Sequence, residues 1–321
     1  MAETTVKYSI LIPAYKARFL KECVASVLSQ TMADFELVVL DDCSPEGIDE
    51  IIATFDDPRL RYYRNDRNVG AENVVDNWNR LLELSRGEYV LCMGDDDELK
   101  PDCLAVYDRL ISKYPDVDVY HGWTEIIDEQ SDVIAMQQAR PEYESVYSLM
   151  WHRWIGRDQF IGDFLFRSSR LRSAGGFVKI PLAWGSDDMT AFEMAYPKGI
   201  ANTQEPVFRY RSNGLSITST GNSKKKYSAT GIYEGMAKEM LKRPVAAVNG
   251  HIDQVFHGMC ERQLPAAFAQ KRMGEIRNDM LRRGVFTGIF RWLRFRREEP
   301  VPASIILRGL LQALKLKIKG Q

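Results

Sequence analysis

At 321 residues the chain can hold one large domain, or a domain with an appendage, around a sizeable core. Its 45% hydrophobic and 27% charged residues are ordinary for a water-soluble globular protein, and a net charge of −1 offers no general field for nucleic acid. The charge is uneven, because residues 282–321 hold ten Arg or Lys against Glu298 and Glu299, a local +8 that leaves −9 for the rest. The five cysteines (Cys23, Cys43, Cys92, Cys103 and Cys260) form no C-x-x-C and read as reduced thiols. "MAETTVKYSI" lacks the basic and apolar regions of a signal peptide, and no apolar run reaches bilayer length. The expectation is a cytoplasmic protein.

"YSILIP" (Tyr8–Pro13) predicts a strand, and "FLKECVASVLSQ" (Phe19–Gln30) a helix with Leu20, Cys23, Val24, Val27 and Leu28 on one face. "FELVVLD" (Phe35–Asp41) predicts a second strand. A short helix "IDEIIATF", a strand "LRYYR" and an amphipathic helix "AENVVDNWNRLLELS" (Ala71–Ser85) follow. "EYVLCM" (Glu88–Met93) predicts a fourth strand and "PDCLAVYDRLISKY" a helix with Pro101 at its first position. Strands separated by helices of these lengths imply right-handed βαβ units and a mostly parallel sheet.

Ligands of such sheets bind beyond the carboxyl ends of the strands. The residues standing there are Pro13, Ala14 and Tyr15, then Asp41, Asp42, Cys43 and Ser44, then Asp95, Asp96 and Asp97. Three adjacent carboxylates repel and need compensation. One reading is an acidic turn capping the helix near Pro101. The other is a Mg²⁺ or Mn²⁺ site, since these ions bind through one or two carboxylates plus substrate phosphates. An EF-hand is excluded because its glycine and distal glutamate are missing.

"ILIPAYK", "FELVVLDDCSPEG", "NDRNVGAENVVDNWNRLLELSRGEYVLCMGDDDELKPD" and "GSDDMTAFEMA" together resemble family 2 glycosyltransferases of the GT-A fold, over roughly residues 6–220. The resemblance implies a Rossmann-like, mostly parallel α/β sheet with flanking helices, followed by a helical C-terminal extension. It divides the chain into a catalytic domain over 1–225 (nucleotide-sugar half to about 120, acceptor and base half from 121) and a helical region over 226–321. Pro13-Ala14-Tyr15-Lys16 stands where the family has P-x-Y-N, with lysine in place of asparagine. By resemblance, Tyr15 stacks on the base of the nucleotide and Asp42 accepts its N3–H, as with uridine donors. Asp96 is then the metal ligand, Asp97 a second one, and Asp95 lies near the ribose. Asn68 and Gly70 are either a donor-contacting loop or a plain turn before a helix.

In the second half, Asp187-Asp188 is either a helix N-cap or the family's E-D pair, whose second member is the general base. By resemblance that base is Asp188, with Asp187 in place of the glutamate on the acceptor side. A carboxylate taking a proton from the attacking hydroxyl implies a single displacement with inversion. Arg211, in "EPVFRYRSNGLSIT" (Glu205–Thr218), is either a phosphate contact or a solvated strand arginine. "GNSKKKYS" reads as a solvated turn. Trp151 and Trp154, three apart, are core packing or a sugar-stacking face, and Trp184 adds a further acceptor candidate.

The tail "ASIILRGLLQALKLKIK" (Ala303–Lys319) puts Leu307, Leu310, Leu311, Leu314 and Ile318 on one face and Arg308, Gln312, Lys315 and Lys319 on another. "GIFRWLRFRREEP" precedes it, mixing aromatics with arginines. Residues 285–321 therefore suit either the surface of an anionic membrane or packing on the catalytic domain or a second subunit, as in a homodimer. The resulting expectation is a metal-dependent enzyme moving a sugar from a nucleotide donor, UDP-sugar first, to a glycan or lipid-linked saccharide. It would work in the cytoplasm or at the inner face of the membrane, in cell-surface polysaccharide synthesis. Two rivals are a sugar nucleotidyltransferase, which should show a glycine-rich loop that "PAYKARF" lacks, and a non-catalytic relative, which should lack a metal or base aspartate.

Overall fold

The computed structural model describes residues 6–214, 222–246 and 248–318. The chain begins β1 (Tyr8–Ala14), α1 (Leu20–Leu28), β2 (Phe35–Asp41), α2 (Ile48–Ile52), β3 (Leu60–Arg64), α3 (Val74–Leu84) and β4 (Tyr89–Cys92). It continues through β5 (Glu98–Leu99), α4 (Cys103–Lys113), β6 (Val119–Ile127), β7 (Val133–Met136), β8 (Tyr143–Glu144) and α5 (Val146–Trp154). Then come β9 (Phe164–Arg167), α6 (Ser168–Ser173), α7 (Ser186–Ala195) and β10 (Ile200–Arg211). Four helices close the chain: α8 (Ser223–Leu241), α9 (His251–Arg283), α10 (Val285–Phe295) and α11 (Ala303–Ile318).

The sheet runs β3-β2-β1-β4-β9-β6-β10-β5. β3, β2, β1 and β4 are parallel, as are β6 and β10; β9 enters antiparallel between β4 and β6. The sheet is therefore mixed around a parallel N-terminal half. Period-two alternation sorts each strand onto two cores. Leu11, Val38, Leu40, Val90 and Cys92 face one core, with α3, α5, α7, α8 and the first part of α9. Ile10, Ile12, Leu37, Val39 and Leu91 face the other, beneath α1, α2 and α4.

Two local expectations change. Pro101 precedes α4 in a turn, with Asp102 as the N-cap, so it is not the first helical residue. Most of "GNSKKKYS" is the start of α8, whose N-cap Asn222 accepts a hydrogen bond from Lys224 N at 3.0 Å. The stretch 215–218 of the expected phosphate loop, and Lys319 of the tail, lie outside the described residues.

The final helices split between two cores. Cys260, Leu264, Ala267 and Phe268 of α9 belong to the catalytic core, whereas Ile276 and Met280 join Tyr227, Trp292, Phe295, Val301, Ile306 and Ala313 in a third cluster. The boundary expected after residue 225 thus does not coincide with a break in packing, since α8 and half of α9 complete the sheet's cover.

Candidate active site

The strand order reverses between β1 and β4, where a ligand crevice is expected. β1 pairs with β4 only through Leu11 and then continues beside β2 alone to Ala14. Pro13 stands in that released stretch, where the missing N–H removes no bond to β4. Tyr15 follows with 41% of its surface exposed, leaving its ring open at the crevice.

The aspartate triplet fills the turn between β4 and β5, so it does not cap α4, which begins four residues after β5. Asp95 Oδ2 accepts from the amides of Tyr15 and Lys16, both at 2.8 Å, pinning the end of β1. Asp97 Oδ1 accepts from Arg211 N at 2.9 Å and Oδ2 from Gly94 N at 3.3 Å. Asp96 remains half-exposed, with Oδ2 accepting from Asn213 Nδ2 at 2.7 Å. Gly94 permits this crowding, because a Cβ there would lie 2.8 Å from Asp96 Oδ1 and 2.9 Å from Asp97 Oδ2. Burial, then the Asp96 charge, pushes Asp95 up to about 6 and Asp97 well above the usual carboxylate range.

The residues fit a divalent cation held through Asp96. Among the described residues no three metal-ligating side chains converge, so Asp96 would supply one carboxylate and substrate phosphates the remaining charge, a common arrangement for Mg²⁺ and Mn²⁺. Asp97, expected as a second ligand, is buried, and each of its oxygens accepts from a backbone amide. Arg211 differs from its expected place. Its guanidinium is buried, donating to Asp96 O and Asp128 O at 2.8 Å and to Ser131 Oγ at 3.0 Å, and paired with Glu98. It ties the triplet's turn to β6 and is not open to a phosphate.

Asp42, at the end of β2, is buried. Its Oδ1 accepts from Asn65 Nδ2 at 2.7 Å and Val69 N at 3.0 Å, while its other oxygen has no partner among the described residues. Asn68 is exposed and its side-chain oxygen accepts from Gly70 N, with Gly70 at φ +80°. That is an Asx turn leading into the one-turn helix at Ala71–Asn73.

The pair Asp187-Asp188 opens α7 behind Gly185, whose φ of +98° and contact with the Tyr233 ring (2.5 Å to a Cβ) suit glycine alone. Asp188 is fully buried and saturated. Its Oδ1 accepts from Arg153 Nε and Gln159 Nε2, both at 2.7 Å, and its Oδ2 from the Tyr233 hydroxyl at 2.8 Å. Burial works to raise its carboxyl, but Arg153 and Lys271 outweigh this and hold it below the usual range. Asp187 is half-buried and behaves oppositely. Burial and the Asp188 charge push it up to about 7, against a smaller opposing pull from Arg153 and Lys271. Tyr210 is stacked on Phe160 with centroids 3.7 Å apart, and burial, then the charges of Asp97, Asp96, Asp163 and Asp187, push its hydroxyl above the usual range.

The tryptophans separate. Trp154 is core, edge-on to Phe192 and Phe268 with its indole N–H on Tyr233 Oη at 3.3 Å, so it is not a sugar platform. Trp151 packs against His152 and Phe256. Trp184 stays partly exposed just before the pair, its N–H on Thr230 Oγ1 at 3.1 Å and Lys226 Nζ 4.6 Å from its ring centre. Sequence reasoning missed Arg153, Gln159, Tyr233 and Lys271, which hold the pair from three separate segments and carry no motif. It also missed Asn213, although this polar residue follows a strand end as Asp42 and the triplet do.

Residues 9–170 match the family model described as "Glycosyl transferase family 2". Over 102 residues the chain is 35% identical to the protein named "Putative colanic acid biosynthesis glycosyl transferase WcaA" of Escherichia coli (strain K12), covering 31% of this chain and 36% of that protein. Over 99 residues it is 33% identical to the teichuronic acid biosynthesis glycosyltransferase TuaG of Bacillus subtilis (strain 168), covering 30% and 38%. These matches thus span only about a third of either relative. In three dimensions the chain is similar to S. aureus TarS in complex with UDP-GlcNAc, with a TM-score of 0.64 and 15% identity over 98% of this chain and 92% of that one. At that identity the likeness concerns the fold, which is of GT-A type with a C-terminal helical region. On the family match, which spans half of its residues, the chain belongs to the family 2 glycosyltransferases.

Proposed function

We propose that this enzyme transfers a sugar from a nucleoside diphosphate donor, UDP-sugar first, to a hydroxyl of a saccharide or lipid-linked saccharide, with inversion, in the cytoplasmic synthesis of a cell-surface polysaccharide. The observation carrying this reading is the half-exposed Asp96 beside the open ring of Tyr15 at the point where the strand order reverses. Tyr15 would stack on the base, and the Asp42 oxygen without a partner among the described residues would accept an N–H from it; the exposure of Tyr15 supports this. Asp96 would hold a divalent cation, which when bound would offset the charge gathering on the departing diphosphate.

The acceptor side assigns the proton. Asp187, and not Asp188 as the resemblance implied, takes it from the attacking hydroxyl in this reading. A base works best with an affinity near the ambient pH, and Asp187 is the raised, partly accessible member. Asp188, saturated by Arg153, Gln159 and Tyr233, is the positioning residue that fixes the start of α7 and supplies the negative charge raising its neighbour. A single carboxylate base acting on the acceptor hydroxyl would imply a single displacement. The names of WcaA and TuaG, both tied to surface polysaccharides, support the product class, and the UDP-GlcNAc of TarS supports the donor class.

Calorimetric titration of UDP, GDP and CMP, each with and without Mn²⁺, into wild-type protein and Asp96→Ala tests this. Mn²⁺-dependent UDP binding that the substitution removes is expected. Binding of GDP alone would move the donor class, and the absence of any nucleotide binding would sink the reading.

A further inference from the structure

α10 and α11 are the helices least occupied by the catalytic core, and each is amphipathic in an unexpected way. α10 packs on α9 through Gly288, Trp292 and Phe295, with Gly288 tight against Met280. α11 packs through Ile306, Gly309 and Ala313, Gly309 lying against Ile276. Gly288 and Gly309 bring the helices close, so the buried faces are those carrying the glycines with Trp292, Phe295 and Ile306, and a second row of large residues on each helix stays outside. Phe286, Phe290 and Leu293, at spacings of four and three, are 80%, 73% and 46% exposed. Leu307, Leu311, Leu314 and Ile318 form the same kind of row on α11 at 56%, 50%, 39% and 86%. Of the stripe that the sequence offered either to a membrane or to protein, Leu310 packs on the third cluster while Leu307, Leu311, Leu314 and Ile318 are exposed.

The charges beside these rows point to what covers them. Arg294, Arg296, Arg297, Arg308, Lys315 and Lys317 are exposed, and none has an ion-pair partner among the described residues. The two acids of the segment turn away toward α8: Glu299 accepts from Ser228 Oγ at 2.9 Å, and Glu298 Oε2 lies 4.0 Å from Lys224 Nζ. Apolar rows flanked by unpaired cations are self-repelling against a second copy of themselves. They are complementary to a surface that is apolar within and anionic at its rim.

We propose that α10 and α11 dock this enzyme on an anionic lipid bilayer, with the Phe and Leu rows entering the headgroup boundary and the six cations on lipid phosphates. No helix among the described residues is long and apolar enough to cross a membrane, so this contact is peripheral. It goes beyond the transfer reaction proposed above and does not depend on it.

The test is sedimentation of the full chain with vesicles of phosphatidylcholine alone or of phosphatidylcholine with one third phosphatidylglycerol. Two variants accompany it: Phe286→Ser with Phe290→Ser, and Arg294→Gln with Arg296→Gln and Arg297→Gln. All five side chains are exposed, so folding and nucleotide binding should persist. Binding to the anionic vesicles should exceed that to neutral ones by about tenfold or more and weaken as salt is raised. Each variant should lose about tenfold. Equal or absent binding to the two vesicles, or binding that the variants leave intact, overturns the proposal. So does equilibrium sedimentation showing that the Phe variant converts a dimer to a monomer, which assigns the face to a second copy.

Discussion

In the triplet Asp95–Asp97, every hydrogen bond to a carboxylate comes from an uncharged amide: those of Tyr15, Lys16, Gly94 and Arg211 from the backbone, and that of Asn213 from its side chain. In the pair Asp187–Asp188 the protein instead sets Arg153 and Lys271 against the charge. Amides fix the positions of carboxylates without supplying a counter-charge, so the mutual repulsion that raises Asp95 and Asp97 is left for a cation arriving with a substrate to relieve. Arg153 neutralises one member of the pair and leaves the other with raised proton affinity. Clusters of similar composition are thereby prepared for different chemistry.

This contrast can be broken from either side. Asp96→Ala should lower turnover roughly 10³- to 10⁴-fold and abolish the Mn²⁺ dependence of UDP binding, since several kcal/mol of charge stabilisation leave with the cation. Asp187→Asn should cost ~10³-fold in kcat while UDP affinity stays unchanged; a loss of UDP affinity instead would place Asp187 on the donor side. Arg153→Met strips the partner from a buried carboxylate and should destabilise the fold by about 3 kcal/mol, read by denaturant unfolding. Tyr15→Ala, the mildest change, should weaken UDP binding by about 1–2 kcal/mol through lost stacking.

The pH dependence sharpens the same comparison. Because Asp187 must be ionised to accept a proton, kcat/KM should climb through about 7 and level off above it. Stability should run the other way. A carboxyl raised in the folded state binds more protons there than in the unfolded chain, so its contribution declines as pH rises from about 4 to 7. Asp187→Asn should therefore gain stability at pH 8 and none at pH 3. A flat activity profile, or an equal effect on stability at both pH values, would show that Asp187 is not the titrating member.

The parallel half of the sheet was readable because each strand there is an apolar run closed by a polar end, and "FELVVLD" became β2 residue for residue. The triplet and Asp42 could be found by the same rule. What was hidden depended on pairing across the chain. Asp97 and Arg211 look like ligands in sequence, yet β5 and β10 pair so that Asp97 accepts from the Arg211 backbone N–H while the guanidinium donates to Asp96 O, Asp128 O, Glu98 and Ser131. The holders of Asp188 come from α5, from Gln159 in the loop after it, and from α8, none adjacent to it in sequence. The tail's packing face was missed because Gly309 and Ala313 contribute little hydrophobicity but allow the closest helix approach.

α9 extends 33 residues, about 50 Å at 1.5 Å per residue. Its middle brings Lys271 to the base pair, while its far end carries α10 and α11. All of it lies beyond residues 9–170, the part that matches the family. A chimera that exchanged only that shared segment between relatives would replace the Asp96 turn together with Arg153 and Gln159, yet keep Asp187, Asp188, Tyr233, Lys271 and the last two helices. The carboxylate pair is thus held from both sides of that boundary, and the long helix joins it to the tail.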